Sequence, residues 1–299
     1  MKSGLQPGVM GTSIAAFGKS FPDSNACAEY MLAVRLNGCC CPECGRSGDW
    51  RIFKNGRAFR HTCGRYISTT SHTVFHSTQL NLYEIFYSML LFSNFRSGVP
   101  TSFLERHIGL SYKAAYGLGQ RIRQQMQLLD RGRQVGGVGQ FVEIGETALK
   151  HVRISGRRGP VKISILSLGD ARHVVSRVIA RRRRRFMTPL INELVRPGSI
   201  LLTRDPKVVA HLTEYGRIRA DVCFIKEKTP DIQNIDVLGS YWKQLKRILN
   251  NMYSHQGINN LPLYIGEFEF RFNRRAASQN IFWDLISRFP DRATKQADY

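Results

Sequence analysis

The chain has 299 residues, enough for two or three domains, and its 42% hydrophobic and 10% aromatic content excludes general disorder. Its 44 Lys and Arg against 22 Asp and Glu leave a net charge of +22, which favours a polyanionic partner because each neutralised phosphate releases condensed counterions. No apolar run approaches the roughly 18 residues that a membrane-spanning helix needs, so a membrane is not the expected partner.

Residues 1–20 are expected to form a disordered leader. Met1 to Phe17 hold a single lysine and a weak apolar patch broken by glycine, which does not make a signal peptide. Residues 21–78 carry the cysteine cluster Cys39, Cys40, Cys41 and Cys44, with short apolar runs suited to a small β-ribbon. Such clustering is unlike a spaced disulfide framework and fits a metal knuckle in a reducing compartment, the cytoplasm or nucleoid. The two-residue gap in Cys41-Pro-Glu-Cys44 lets two thiolates share one tetrahedral zinc ion. Cys63 stands at a sensible distance for a third ligand. Either His61, Cys39 or Cys40 completes the set, or the metal has been lost.

Residues 79–133 read as helices. Leu82, Ile85, Phe86, Met89 and Leu90 recur at helical spacing and mark a core face. Thr101–Ile108 is followed by Gly109, a natural turn residue, and Ser111, a natural N-cap, before a longer helix from Tyr112 to Leu129. This is the pattern of a helix-turn-helix, whose second helix carries Lys113, Arg121 and Arg123. Gln134–Gln140 is a glycine-rich linker.

The pattern then turns to β. Phe141–Ile144, Val161–Leu166 and His173–Ile179 are alternating or apolar runs rich in β-branched residues. A helix near Met187–Val195, stopped by Pro197-Gly198, and a strand at Ser199–Leu202 follow, and Tyr241–Phe289 reads as helices with aromatic faces. Residues 141–289 are thus a mixed α/β domain, α+β over the whole chain, and 290–299 a tail. Two stretches are dense in cations: Arg51–Arg133, which includes Arg131 and Arg133, and Lys150–Arg185, which includes Arg157, Arg158 and the run Arg181, Arg182, Arg183, Arg184 and Arg185. Almost no acid interrupts them, so double-stranded DNA is the favoured partner. The sequence is compatible with a homodimer without requiring one.

Several blocks, in order, carry a resemblance. Phe21–Tyr30 with Arg35 and the Cys41–Gly45 knuckle, Ile67–Phe75, Ser111–Tyr116 with Arg121-Ile-Arg123, Tyr241–Arg247 and Glu267–Arg275 are similar to blocks of the insertion-sequence fifteen-ninety-five family of transposases. The resemblance runs from about Phe21 to Phe289. It implies a zinc ribbon, a helix-turn-helix and a ribonuclease-H-like catalytic domain whose carboxylates hold two Mg²⁺ ions for strand cleavage and transfer.

Against that pattern the departures matter most. In Phe141-Val-Glu-Ile-Gly-Glu-Thr147 the family's first aspartate position holds Gly145, and in Leu201-Leu-Thr-Arg-Asp205 the second holds Arg204. Aligning the later block on Trp242 and Lys246 places Asp236 at the family's asparagine and Gly239 at its glutamate, with Asn234 a competing assignment. Lys246, Glu267, Arg271 and Arg274 remain in place.

Glycine supplies no oxygen ligand and Arg204 puts a cation where Mg²⁺ belongs. Asp205, shifted by one, points to the other face of a strand. Glu143 shares a face with Gly145, so Glu143, Glu146, Asp205 and Asp236 are the candidate substitutes. Mg²⁺ is expected only if catalysis is retained. Tyr241, Trp242, Phe268 and Phe270 read as core aromatics, Arg271 and Arg274 as helix-surface ion pairs. Tyr253 and His255 fit the family block, but a free exposed histidine fits equally. Three readings follow: a DNA-binding module without chemistry, an active transposase with relocated ligands, and a decayed copy. Gly145 and Arg204 favour the first over the second.

Overall fold

The structure, a computed structural model, describes residues 12–36, 39–48, 50–95, 97–152, 159, 161–179, 187–204, 221–224, 236–252 and 258–289. It divides into two compact units, residues 1–129 with 276–299, and residues 130–275.

The first unit begins with α1 (Ile14–Ser20), where the Ser13 hydroxyl accepts the Ala16 N–H at 3.1 Å. This corrects the expectation of a disordered leader through residue 20. Phe17 is 1% exposed and its ring lies within 6 Å of Phe21, Tyr83, Tyr87 and Phe282, so its burial fixes the helix. Next come α2 (Ser24–Arg35), capped by Asp23, and an antiparallel ribbon of β1 (Trp50–Phe53), β2 (Ala58–His61) and β3 (Tyr66–Ser68).

Strand alternation turns Trp50, Phe59 and His61 inward, where each is at most 8% exposed. Helix α3 (Leu82–Asn94) opens with a capping box in which Asn81 and Glu84 satisfy each other's backbone N–H groups, worth about 1 kcal/mol. Helix α4 (Thr101–Ile108) ends on Gly109 in the left-handed region (φ +79°), and the Ser111 hydroxyl accepts the Ala114 N–H at the start of α5 (Tyr112–Leu129).

The second unit is built on a five-stranded sheet, in spatial order β6 (Val174–Ile179), β5 (Val161–Gly169), β4 (Phe141–Val152), β7 (Ile200–Thr203) and β8 (Asp221–Phe224). The first three strands are antiparallel, and β7 and β8 run parallel to β4. Helix α6 (Met187–Leu194) covers one face, packing on Val142, Ile144, Leu166 and Leu168. Helices α7 (Val237–Met252) and α8 (Leu261–Asn273) cover the other, over Leu149, Ile163, Ile165 and Val174. A central first strand with this mixed order and helices on both faces is the expected ribonuclease-H-like fold.

Two expected boundaries differ. Gln134–Gln140 is not a free linker. Val135 bridges Val195, and Gly136 (φ +80°) passes so close to Ser199 and Val142 that a Cβ there would sit 2.3 Å from the Ser199 hydroxyl oxygen. At the other end α9 (Ile281–Ser287) belongs to the first unit rather than to a 141–289 domain. Its apolar face buries Phe282 and Leu285 against α3 and α5, and the Gln125 amide donates to the carbonyls of Leu285 and Arg288.

Candidate functional site

Where the first half of β4 and the carboxyl end of β7 meet the N-terminus of α7, a cleft of about 320 Å³ is lined by Glu143, Gly145, Glu146, Arg204, Asp236, Gly239 and Trp242, among others. The parallel register, with Glu143 opposite Leu202, sets Gly145 and Arg204 at one level of the sheet. Gly145, Arg204, Asp236 and Gly239 thus line one cleft. Arg204 stands 3.9 Å from Asp236, an exposed pair worth little in stability.

Two positions of the cleft, Gly145 and Gly239, offer no oxygen ligand. The indole of Trp242 covers Gly145, so that a Cβ at 145 would lie 2.5 Å from the indole Cη2. That ring is held by its N–H, which donates to the Ser167 hydroxyl at 3.1 Å. The Asp236 carboxylate oxygen lies 2.3 Å from where a Gly239 Cβ would stand. Glu143, the substitute ligand on the correct face, accepts the Leu238 N–H at 3.0 Å and so closes the N-terminus of α7. Burial pushes the Glu143 carboxyl above the usual range, and Asp236 adds to that, while the Leu238 N–H and Arg204 pull it back. Asp205 and Asn234 lie outside the described residues.

Ser167 continues into a buried polar chain that sequence reading missed. Its hydroxyl is 2.9 Å from that of Ser176, which donates to the Tyr241 hydroxyl at 3.0 Å, and the Ser176 N–H donates to Glu269 at 2.8 Å. Desolvation pushes the Glu269 carboxyl up to about 8 and the Tyr241 hydroxyl well above its ordinary value. Ser167 and Ser176, hydroxyls set within apolar strand runs, were the available signal, since a buried hydroxyl needs a partner.

The other retained residues are not cleft-lining. Glu267 and Arg271 form an ion pair of 2.6 Å, with side chains only 3% and 8% exposed. Arg274 chelates Asp130 at 2.9 and 3.1 Å and lies 3.5 Å over the Phe270 ring. The expectation that Arg271 and Arg274 form helix-surface ion pairs is corrected: both pair with largely buried carboxylates, and for Arg271 with Glu267 removing one partner would strand the other charge. Lys246 is one turn beyond Trp242 on α7. Tyr241, Phe268 and Phe270 are core aromatics, as expected. Tyr253 and His255 lie outside the described residues.

In the ribbon, Cys41, Cys44, His61 and Cys63 present ligand atoms all within 4.8 Å of one another. Among the three alternatives for the fourth ligand, the geometry selects His61 through its Nδ1. The Cys41 and Cys63 sulfurs are 3.7 Å apart, and Cys44 Sγ lies 3.6 Å from His61 Nδ1. Zinc–sulfur bonds of about 2.3 Å at tetrahedral angles place thiolates about 3.8 Å apart, so this donor set fits a metal such as zinc. The inward turn of β2 brings His61 there, with the Trp50 ring centroid at 5.0 Å. Cys39 is not in the set, and its thiol donates to the Arg35 carbonyl.

The basic residues divide. Lys113 and Arg131 are exposed. Arg123 is 2% exposed, donates to the Val99 carbonyl and lies 5.2 Å over the Phe92 ring, so it is a core residue and not a phosphate contact. Arg121 donates to the carbonyls of Val74 and His76, tying α5 to the loop after the ribbon. Arg133 pairs with Asp130 at 2.8 Å. Helical periodicity cannot reveal such inward cations, because a long cationic side chain on a core face reads as polar. Arg157, Arg158, Arg181, Arg182, Arg183, Arg184 and Arg185 lie outside the described residues. Among the described residues, no helix is long and apolar enough to cross a membrane.

No curated protein matches the chain. Residues 132–273, which hold the sheet, the cleft and helices α6 to α8, match the family model of the ISXO2-like transposase domain. That segment is similar to the transposase domain of this family.

Proposed function

We propose that this chain is a DNA-binding protein that keeps the transposase scaffold without its metal-dependent chemistry. The observation that carries the reading is the cleft itself. Trp242 fills the space of a first carboxylate, Arg204 brings a cation to the second position, and Glu143 is spent on closing α7. Two-metal catalysis sets the ions about 3.5–4 Å apart, a separation that needs shared anionic ligands to offset their repulsion.

The net charge of +22 supports a duplex DNA partner. On this reading residues 79–133 recognise duplex DNA as a helix-turn-helix, beside a zinc-closed ribbon at 21–78. Exposed Lys113 in the first turn of α5 stands where a recognition helix meets the major groove. Zinc on Cys41, Cys44, His61 and Cys63 supplies folding energy and no reaction step. The protein acts on the nucleoid, in the cytoplasm.

The test is a strand-cleavage and transfer assay with Mg²⁺ or Mn²⁺ beside a salt-titrated binding assay on the same duplex. Expected are no cleavage and an affinity that falls steeply with salt, at about −0.9 in log–log slope per phosphate contact. Affinity that is flat between low and moderate salt refutes the electrostatic reading. Metal-dependent transfer abolished by Glu143→Gln or Asp236→Asn makes the protein a working enzyme with relocated ligands.

A further inference from the structure

We propose that the outer face of the ribbon is a second nucleic-acid site, which takes an unpaired DNA strand by base stacking rather than duplex. Strand register puts Arg51 opposite Arg60 and Arg60 opposite Tyr66, with Phe53 opposite Ala58, so these side chains share the face turned away from Trp50, Phe59 and His61. Arg51, Arg60 and Tyr66 are exposed, Tyr66 to 45%, and Phe53 is half-buried. Lys54 and Arg57, both exposed, flank the face in the turn between β1 and β2.

Three features point to an unpaired strand. Trp50 through Tyr83, which follow Asp49, contain no carboxylate, so among the described residues β1, β2, β3 and the turns between them supply no acid to this face. Glu43, at the metal end, is paired with Arg65 at 3.3 Å. The Phe53 and Tyr66 ring centroids are 5.1 Å apart, and the Arg60 guanidinium lies 5.4 Å from the Tyr66 centroid and 6.0 Å from that of Phe53.

An aromatic pair overlaid by a guanidinium is a stacking platform. Bases stack on rings and on guanidinium planes alike, and every base offers such a face only once it is unpaired. Arg51, Lys54 and Arg57 supply the charge that follows the backbone between stacked bases. Duplex offers this face only its phosphates and would leave Tyr66 unused. The face is separate from the duplex contacts proposed for α5, so the two can fail independently.

The experiment measures binding of the full chain to a twelve-nucleotide oligothymidine strand and to a mixed twelve-base-pair duplex, by fluorescence anisotropy at one salt concentration. Wild type is compared with Tyr66→Ala and Tyr66→Leu, thermal melting and metal content confirming the fold. Expected is a loss of about 5- to 150-fold on the single strand for Tyr66→Ala with duplex affinity unchanged, since no charge is removed. Arg60→Gln gives the same preferential loss if Tyr66→Ala does not fold. Wild-type binding to duplex but not to oligothymidine overturns the proposal and leaves the duplex reading intact, as does a single-strand affinity indifferent to Tyr66 and Arg60. Equal losses on both probes make the face a general phosphate surface and also overturn it. Absence of binding to either probe refutes the duplex reading as well.

Discussion

Gly145→Asp, which on the proposed reading restores a carboxylate to the cleft, should destabilise the protein before it does anything for metal binding. Gly145 lies in ordinary strand backbone, so the opposition is steric and local. A Cβ would stand 2.5 Å from Trp242 Cη2 and 3.2 Å from Cζ2, both ring atoms of a side chain held by Ser167. Moving the indole costs about 1–3 kcal/mol of repacking and about 0.5–1.5 kcal/mol for the lost hydrogen bond. The sum, about 2–4 kcal/mol, lowers the Tm of a domain this size by roughly 5–15 °C. Trp242→Leu removes the obstructing atoms, so Gly145→Asp made in that background should cost less, with a favourable coupling of about 1 kcal/mol or more in the double-mutant cycle. With Arg204→Asp added, Mg²⁺ or Mn²⁺ should then stabilise the variant, by about 2.7 kcal/mol when free metal is a hundredfold above Kd. Differential scanning calorimetry with and without metal measures each step. Gly145→Asp as stable as wild type, or a cycle without coupling, refutes the claim that Trp242 occupies the carboxylate position.

Cys41→Ser, Cys44→Ser or His61→Ala should release metal and unfold the ribbon, whereas Cys39→Ser should leave metal content unchanged; elemental analysis of purified variants decides this. Arg123→Ala should lower Tm by leaving the Val99 carbonyl unpaired, about 1–3 kcal/mol, while Lys113→Ala should weaken duplex binding at constant Tm; melting and anisotropy on the same samples separate the two. Between about pH 4.5 and 8 the buried Glu269 carboxyl keeps its proton in the folded chain while the unfolded chain has lost it, so stability should fall as pH rises through that window. Glu269→Gln should flatten that part of the profile in denaturant titrations, and an unchanged slope would falsify the assignment.

Much of the fold was legible because local chemistry and burial agreed. The αL glycine at 109 with the Ser111 cap, the β-branched alternation of β4 to β6 and the stop at Pro197-Gly198 each specify an element without help from elsewhere in the chain. Where they disagreed, the reading failed. Glycine-rich Gln134–Gln140 has the composition of a linker, yet Gly136 is there because backbone passes against Ser199 and Val142. Arg123, Glu267 and Arg271 look like surface charges because one-dimensional polarity carries no sign of a distant carbonyl or a partner one turn away.

The sequence by itself determined what the cleft lacks: a glycine at 145 and an arginine at 204 cannot donate anionic oxygens in any conformation. It also determined that two thiolates of the Cys41–Cys44 knuckle can share an ion, since a two-residue gap is a covalent constraint. Only tertiary structure decided what lies against Gly145 and which fourth ligand atom joins the knuckle cluster. Trp242 and Gly145 are separated by almost a hundred residues, as the numbering shows, and meet because α7 lies across β4. His61 is chosen over Cys39 because strand alternation turns it toward the knuckle sulfurs, while the Cys39 thiol is turned to the Arg35 carbonyl. Glu143 has the right face for a metal ligand and is nonetheless engaged, because the first N–H groups of a helix must find acceptors and α7 begins beside it.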